Sequence, residues 1–148
     1  MGWNIESNTE VGEWVCSHTG GGYHEACSNA LGLRNGKGDL IAGVIYENWN
    51  GRSVFCHIAI KGRITPAYLA AIADYPFNVC DVEKLIAPVS SANSKALALL
   101  GKMGFTEEAR IHNADTAGDI VFLTMTRDSC RFLGKRYGRK KAETTSST

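Results

Sequence analysis

The segment Val89–Phe105, VSSANSKALALLGKMGF, decides how this sequence folds. It opens with small polar residues, and Asn93 is a residue type that caps a helix by accepting a backbone N–H. Leucines and a methionine then recur at the spacing that gives a helix one apolar face. Gly104 tolerates the left-handed conformation that ends many helices, and Phe105 resumes a strand pattern. The segment predicts a helix that follows a strand, with its N-terminus at the carboxyl edge of a sheet, where ligands bind in open α/β folds.

Three strand-like runs precede this segment and predict an antiparallel meander, because turns rich in Asn and Gly separate them. The predicted strands are Ser28–Arg34, Leu40–Trp49 and Ser53–Ile60. Thr65-Pro66 then predicts a helix start, since Thr caps helices and Pro suits the first helical position. Tyr75-Pro76 predicts the end of that helix, because Pro lacks the N–H that would continue it.

The remaining elements complete one fold class. Further predicted elements are a helix at Thr9–Cys16 and strands at Lys84–Val89, Phe105–His112 and Asp119–Thr126. A strand–helix–strand crossover joins parallel strands, whereas tight hairpins join antiparallel ones. The sequence therefore predicts an α+β fold with a mixed, mostly antiparallel central sheet and one parallel crossover. We expect residues 1–133 to form a single domain.

Charge is unevenly distributed along the 148 residues, which carry a net charge of +1. Residues 134–148 contain five Lys or Arg and one Glu, a net of +4, and the rest of the chain carries −3. This basic tail has no apolar periodicity, which predicts disorder. It either solubilises the chain or binds nucleic acid or an acidic partner weakly through its charge.

Membrane and metal-binding classes are not supported by the composition. No apolar run approaches the ~20 residues of a membrane helix, and the N-terminus lacks the pattern of a signal segment. The five cysteines form no CxxC pair. We therefore expect reduced thiols, a cytoplasmic protein and no metal site.

The run from Asn93 to Phe105, NSKALALLGKMGF, resembles the second signature segment of the GNAT family of N-acetyltransferases. The predicted element order over residues 28–127 is similar to the order in that family. Residues 118–133, GDIVFLTMTRDSCRFL, are similar to the branch that acetylates the amino termini of ribosomal proteins. The resemblance implies the GNAT-like fold and acetyl-CoA as co-substrate.

The resemblance also implies which residues hold acetyl-CoA. A strand backbone should pair with pantetheine, and the loop after it should cradle the pyrophosphate at a helix N-terminus, where partial positive charge suits phosphate. Lys61 and Arg63 add full charges to that loop. The implied cofactor-binding residues are Ile58, Ala59, Ile60, Lys61, Gly62, Arg63, Ile64, Thr65, Asn93 and Lys102.

This sequence departs from the family pattern at two places. The loop KGRITPAY contains one glycine where the family has more, and Leu100 stands where many relatives carry a tyrosine that protonates the leaving thiolate. Leucine cannot donate a proton, so Tyr68, Tyr75 or water takes that role, or the chain is a catalytically inactive module that binds CoA or a protein.

Candidate catalytic residues lie on the strands that border this site. An attacking ammonium must first lose a proton, and His57 is the first candidate base because histidine titrates near neutrality. Glu47 is an alternative base. Ser90 and Ser91 could orient the substrate or a water that carries the proton. Cys56 should point to the opposite face from His57, so no Cys–His pair is expected.

We therefore interpret the chain as an acetyl-CoA-dependent N-acetyltransferase that transfers acetyl directly to a primary amine. The acceptor could be a protein amino terminus, a lysine or a small amine, and the chain a monomer or homodimer. Nucleic acid is not an expected partner except weakly through the tail. The acceptor-facing loops would be HTGGGYHEA, residues 18–26, and NADTAG, residues 113–118.

Overall fold

A computed structural model describes residues 3–19 and 28–133 of the chain. Most of the glycine-rich segment at residues 18–26 and all of the basic tail lie outside the described residues. The elements are β1 Asn4–Glu6, α1 Thr9–Thr19, β2 Ser28–Arg34, β3 Leu40–Glu47, β4 Ser53–Ile60, α2 Pro66–Asp74, a π-helical turn Tyr75–Val79, β5 Lys84–Ser90, α3 Ser94–Met103, β6 Thr106–Asp115, β7 Gly118–Thr126 and a 3-10 turn Arg131–Leu133.

The strands form one seven-stranded sheet in the order β1-β2-β3-β4-β5-β7-β6. The pair β4–β5 is parallel, and the other five pairs are antiparallel. This arrangement confirms the α+β class with a mixed, mostly antiparallel sheet and one parallel crossover. Within the described residues, no helix is long and apolar enough to cross a membrane.

The strands differ from the predictions at turns and edges, and β6 runs to Asp115 instead of ending at the predicted His112. Strand β3 ends at Glu47 rather than Trp49, because Asn48 takes a positive φ of 59° and leaves the extended conformation. The Asn50 side chain then accepts the N–H groups of Arg52 and Ser53, which closes the turn. Strand β1 is an element that the sequence does not predict, since its three residues are too few to show alternation.

Helix α1 covers one face of the sheet. Val11 and Val15 are fully buried against Ala30 and Ile45. Gly43 allows this close approach, because a Cβ at that position would lie 2.5 Å from a Val15 methyl. The opposite face packs against α2 and α3 in a larger core that includes Tyr68, Phe77, Leu100 and Met103. The sheet therefore separates an α1 side from an α3 side.

Helix α2 ends at Asp74, directly before Tyr75-Pro76, where the sequence predicts its end. The sequence does not predict the π-helical turn that follows, in which the Cys80 N–H donates to the Tyr75 carbonyl at 2.9 Å. Pro76 has no N–H for the Ile72 carbonyl four residues earlier. The Tyr46 hydroxyl donates to that carbonyl instead, at 2.6 Å. A side chain from the sheet thus satisfies the acceptor that proline leaves behind.

Tyr46→Phe should destabilise the protein by about 1–3 kcal/mol, because it leaves the buried Ile72 carbonyl without a donor. Urea unfolding measures this change in the free energy of unfolding. Tyr75→Phe is the matched control, since the Tyr75 hydroxyl accepts an exposed Asn29 amide and its loss should cost less than about 1 kcal/mol. Equal losses in both variants would contradict this account of the π-helical turn.

Candidate functional site

The parallel strands β4 and β5 pair over only part of their length. Residues Ser53–Phe55 pair with Lys84–Ile86, and the two strands then separate. A cleft of about 550 Å³ lies between their C-terminal halves and the N-terminal part of α3. This volume is typical of pockets for small ligands.

Strand β4 presents unpaired backbone groups to this cleft. Lys61 N–H donates to Ile41 O at 2.7 Å, and Ser53 O accepts the Asn50 N–H at 3.2 Å. Both bonds show that the odd-numbered residues of β4 direct their backbone N–H and C=O groups towards β3. Because successive residues of a strand point their amide groups to opposite edges, Ile58 and Ile60 direct theirs into the cleft, and so does the Cys56 carbonyl, which lies beyond the last pair of the parallel ladder. These groups can add a ligand to the strand edge as a peptide would.

Pro88 explains why the parallel ladder stops. Ser91 N–H donates to Asp119 O at 2.8 Å, and Glu83 O accepts the Arg127 N–H at 3.1 Å. The odd-numbered residues of β5 therefore direct their backbone N–H and C=O groups towards β7, and the backbone of Pro88 is directed towards β4. In the observed register the next parallel hydrogen bond would run from residue 88 to the Cys56 carbonyl. Proline has no N–H to donate, so the strands part at this position.

Side-chain alternation gives the cleft two sides. The α3 side is formed by Cys56, Ile58, Ile60, Ala87, Val89, Asn93, Lys95, Ala96, Leu99 and Leu100. The α1 side is formed by His18, Thr19, His57, Pro88, Ser90, Asp115 and Ile120. The two sides meet in the gap between β4 and β5. A ligand bound on one side can therefore reach a group bound on the other only through this gap.

The N-terminus of α3 supplies polar groups to the α3 side. Asn93 caps the helix as predicted, because its Oδ1 accepts the Ala96 N–H at 3.1 Å. Its Nδ2 has no hydrogen bond among the described contacts and can donate to a ligand. Lys61 and Lys95 are exposed and line the cleft at its mouth. This combination of cations and amide donors suits a ligand with phosphates and amides.

An imidazole–carboxylate pair lies on the α1 side. His57 Nε2 and Glu47 Oε2 are 2.6 Å apart, and both side chains are about a quarter exposed, at 24% and 23%. Glu47 faces Phe55 in the antiparallel register, which puts His57 diagonally across from it on the same face. When Glu47 accepts this bond, the ring proton lies on Nε2 and Nδ1 keeps a lone pair. The carboxylate thus orients the imidazole of a residue that lines the cleft.

Ser90 and Ser91 separate in the structure. The Ser90 hydroxyl lines the cleft and donates to Asp115 Oδ2 at 2.9 Å. The Ser91 hydroxyl accepts the Asp119 N–H at 2.9 Å and is not among the residues that line the cleft. Ser91 therefore ties the end of β5 to β7.

Several residues that the resemblance assigns to CoA do not line the cleft. The loop residues Gly62, Arg63, Ile64 and Thr65 follow the cleft-lining Lys61, and the Thr65 hydroxyl caps α2 by accepting the Tyr68 N–H at 3.1 Å. Lys102 lies in the last turn of α3, at the opposite end from Asn93, where its carbonyl accepts the Arg131 guanidinium. The predicted residues that do line the cleft are His57, Ile58, Ala59, Ile60, Lys61, Ser90 and Asn93.

No phenol lines the cleft among the residues that the structure describes. The Tyr68 hydroxyl donates to the Leu31 carbonyl at 2.8 Å inside the core, and burial raises its pKa. Burial also raises the pKa of Tyr75 to about 12, and this ring packs on Tyr46. Cys56 does line the cleft, but burial raises its thiol pKa to about 12, so it stays protonated. Over residues 3–19 and 28–133, no group of three or more His, Cys, Asp or Glu could hold a metal ion.

Sequence reasoning missed three parts of the cleft: Lys95, Asp115 and the pairing of Glu47 with His57. Lys95 lies two residues after the predicted cap Asn93, in the first turn of α3. Its nearness to this cap is the sequence feature that could have indicated its place in the cleft. Asp115 ends β6 within the segment NADTAG, which the sequence predicts as a whole to face the acceptor, and its residue type alone does not single it out. Pairing Glu47 with His57 requires the strand register, which depends on where the intervening turn begins.

Pro88→Ala should extend the parallel ladder by one hydrogen bond to the Cys56 carbonyl. If this bond contributes about 0.5–1.5 kcal/mol, the new amide should exchange with solvent about three- to tenfold more slowly than an amide at the same position that makes no hydrogen bond. Hydrogen exchange followed by NMR measures it at the substituted position. Pro66→Ala, at the exposed first position of α2, is the matched control and should leave β4 and β5 unchanged. An unprotected amide at the substituted position in β5 would contradict the role given to Pro88.

Comparison with known proteins places the fold. No family model matches the sequence, and no curated protein matches it either. Solved structures do match. A spermidine N-acetyltransferase chimera from Vibrio cholerae and hSSAT is 15% identical with a TM-score of 0.69, over 90% of this chain and 100% of that one.

The Vibrio cholerae spermidine N-acetyltransferase in complex with CoA and spermine is 21% identical with a TM-score of 0.62, over 75% of this chain and 71% of that one. At these identities the likeness concerns the fold. The chain therefore has the fold of these N-acetyltransferases, which is the GNAT-like fold that the sequence predicted.

Proposed function

We propose that this chain transfers an acetyl group from acetyl-CoA directly to a primary amine. The observation that carries the proposal is the gap between β4 and β5. On one side of it lie the α3 N-terminus and Lys95, on the other lies the His57–Glu47 pair, and Lys61 lies at the mouth. The solved structures with this fold, which are named spermidine N-acetyltransferases and one of which holds CoA, support the same class of reaction.

The α3 side fits acetyl-CoA in shape and in chemistry. Ile58 and Ile60 offer backbone donors and acceptors to the amides of pantetheine, and Asn93 Nδ2 adds a donor. Lys61 and Lys95 would pair with phosphates at the mouth, and Arg63 in the exposed adjoining loop could add a bidentate contact. Acetyl-CoA supplies an activated thioester, whose carbon forms a bond to the amine nitrogen as its bond to sulfur breaks.

The chain's own residues would handle the protons. The acceptor arrives as an ammonium ion, and His57 Nδ1 takes its proton while Glu47 holds the ring in place. A cleft-facing N–H, such as that of Ile58, polarises the thioester oxygen. Leu100 offers no proton to the leaving thiolate, so we assign that proton to water, which in turn takes the second proton that the nitrogen loses as it becomes an amide. A thiolate is a stable leaving group, so the step does not require a side-chain acid.

A non-catalytic module that binds CoA or a protein partner is the second candidate function. Leu100, together with the absence of any phenol among the described lining residues, favours it. The resemblance of residues 118–133 favours a protein amino terminus as acceptor for an active enzyme. The solved structures instead act on a small amine, as their names state. A monomer and a homodimer remain the proposed assembly states.

Thiol release from acetyl-CoA in the presence of a primary amine should distinguish these functions. His57→Gln should lower kcat about 10²- to 10⁴-fold, because the amide cannot take the ammonium proton. Glu47→Gln should lower kcat less, since the base remains but loses its orientation. His112→Gln is the control, because this exposed histidine on β6 lies outside the cleft lining.

Full activity in His57→Gln would overturn the role of His57. Acetyl-CoA binding without thiol release on any amine would establish the non-catalytic module instead. Failure of the wild-type protein to bind acetyl-CoA would remove both acetyl transfer and a CoA-binding module, and would leave a protein-binding module as the remaining candidate.

A further inference from the structure

The α1 side of the cleft has a polar group at each end and an apolar surface between them. We infer that the acceptor is a small linear diamine, with its reacting amine at His57 and its second ammonium at Asp115. Pro88 and Ile120 lie between these ends and would contact the methylene chain. This inference rests on the proposed acetyl transfer and names the substrate class for it.

Asp115 is held in position but keeps one carboxylate oxygen available. Its Oδ2 accepts the Ser90 hydroxyl at 2.9 Å and the Ala117 N–H at 3.0 Å. Its Oδ1 has no hydrogen bond among the described contacts. The side chain is half-buried at the cleft wall, so a ligand reaches it from the cleft side. A fixed carboxylate with a spare oxygen is a site for a cationic donor.

The other carboxylates of the β6–β7 hairpin show what Asp115 lacks. Glu107 and Asp119 each pair with Arg110 at 3.1 Å, and Glu108 pairs with Lys84 at 2.9 Å. Within residues 3–19 and 28–133, no such cationic partner is recorded for Asp115. A ligand ammonium would supply the missing charge, and the partial burial of Asp115 makes that pairing stronger than one in bulk water.

The spacing of the two ends sets the length of the ligand. Continuing the β4–β5 register places His57 across from Pro88, two residues before Ser90. Paired strands lie about 4.8 Å apart and rise about 3.3 Å per residue, and β4 and β5 are farther apart than that here, so His57 and Ser90, which holds the Asp115 carboxylate, are at least about 8 Å apart. A diamine with about five methylene groups is about 7–8 Å long when extended, from bond lengths near 1.5 Å. It would reach both groups by hydrogen bonds.

The apolar surface between the ends favours methylenes over a peptide backbone. Pro88 has no N–H, and its ring lies on the α1 side with the half-buried Ile120. A peptide crossing this surface would leave its amide groups without partners, which costs free energy. A methylene chain has no such groups and gains from the apolar contact.

Steady-state kinetics with cadaverine and with pentylamine tests the inference, because these two acceptors differ only in the second amine. The wild-type protein should have a kcat/KM at least about tenfold higher for cadaverine, the ratio that about 1.4 kcal/mol of ion pairing gives. Asp115→Asn should raise KM for cadaverine and bring the ratio of the two kcat/KM values close to one. Asparagine keeps an oxygen to accept from Ser90 and Ala117, so the hairpin is preserved.

Asp119→Asn is the matched control, since it removes a carboxylate from the same hairpin outside the cleft lining. It should leave the ratio as in the wild-type protein. Equal kcat/KM values for the two amines in the wild-type protein would overturn the inference while leaving acetyl transfer in place. So would an unchanged ratio in Asp115→Asn.

A second measurement applies if no amine releases thiol and the proposed function fails. NMR titration of the CoA-saturated protein with cadaverine should then shift the signals of His57 and Asp115 in the wild-type protein, and leave the His57 signal unshifted in Asp115→Asn. Absence of these shifts in the wild-type protein would overturn the diamine site as well.

Discussion

The β4–β5 ladder ends because Pro88 has no N–H for the Cys56 carbonyl, and the rest of the site depends on that interruption. A continuous parallel ladder would use the Cys56 carbonyl and the backbone groups of Ile58 and Ile60 within the sheet. Instead these groups border a cleft of about 550 Å³. The sheet thereby has an open strand edge in its middle, between β4 and β5, at which a ligand can bind.

Strand alternation then distributes the chemistry between the two faces of that opening. The α3 face receives the helix cap Asn93 and the apolar residues of the core, while the α1 face receives His57 and Glu47. Because the faces meet only in the gap, a donor and an acceptor bound on opposite faces would face each other there. Proximity of this kind lowers the barrier of a direct transfer without a covalent enzyme intermediate.

Local signals made much of the fold predictable. Asn93 and Gly104 bound α3 as expected, because capping depends on the residue itself and its near neighbours. Longer-range features were not accessible. At the π-helical turn, Tyr46 donates to a carbonyl 26 residues away that Pro76 leaves without its usual donor, and the partnership of Glu47 with His57 depends on register. Ser90 and Ser91 are similar in sequence, but strand twist and pairing send only Ser90 into the cleft.

Amide hydrogen exchange with and without acetyl-CoA tests the central claim most directly, namely that the interrupted ladder is the acetyl-CoA site. The account predicts slower exchange in Cys56–Lys61 and at the N-terminus of α3, and little change in β1 and β2. Asn93→Ser keeps a helix cap but removes the amide donor, so the same protection should require more acetyl-CoA. Unchanged exchange at saturating acetyl-CoA, or protection confined to another part of the sheet, would contradict the account.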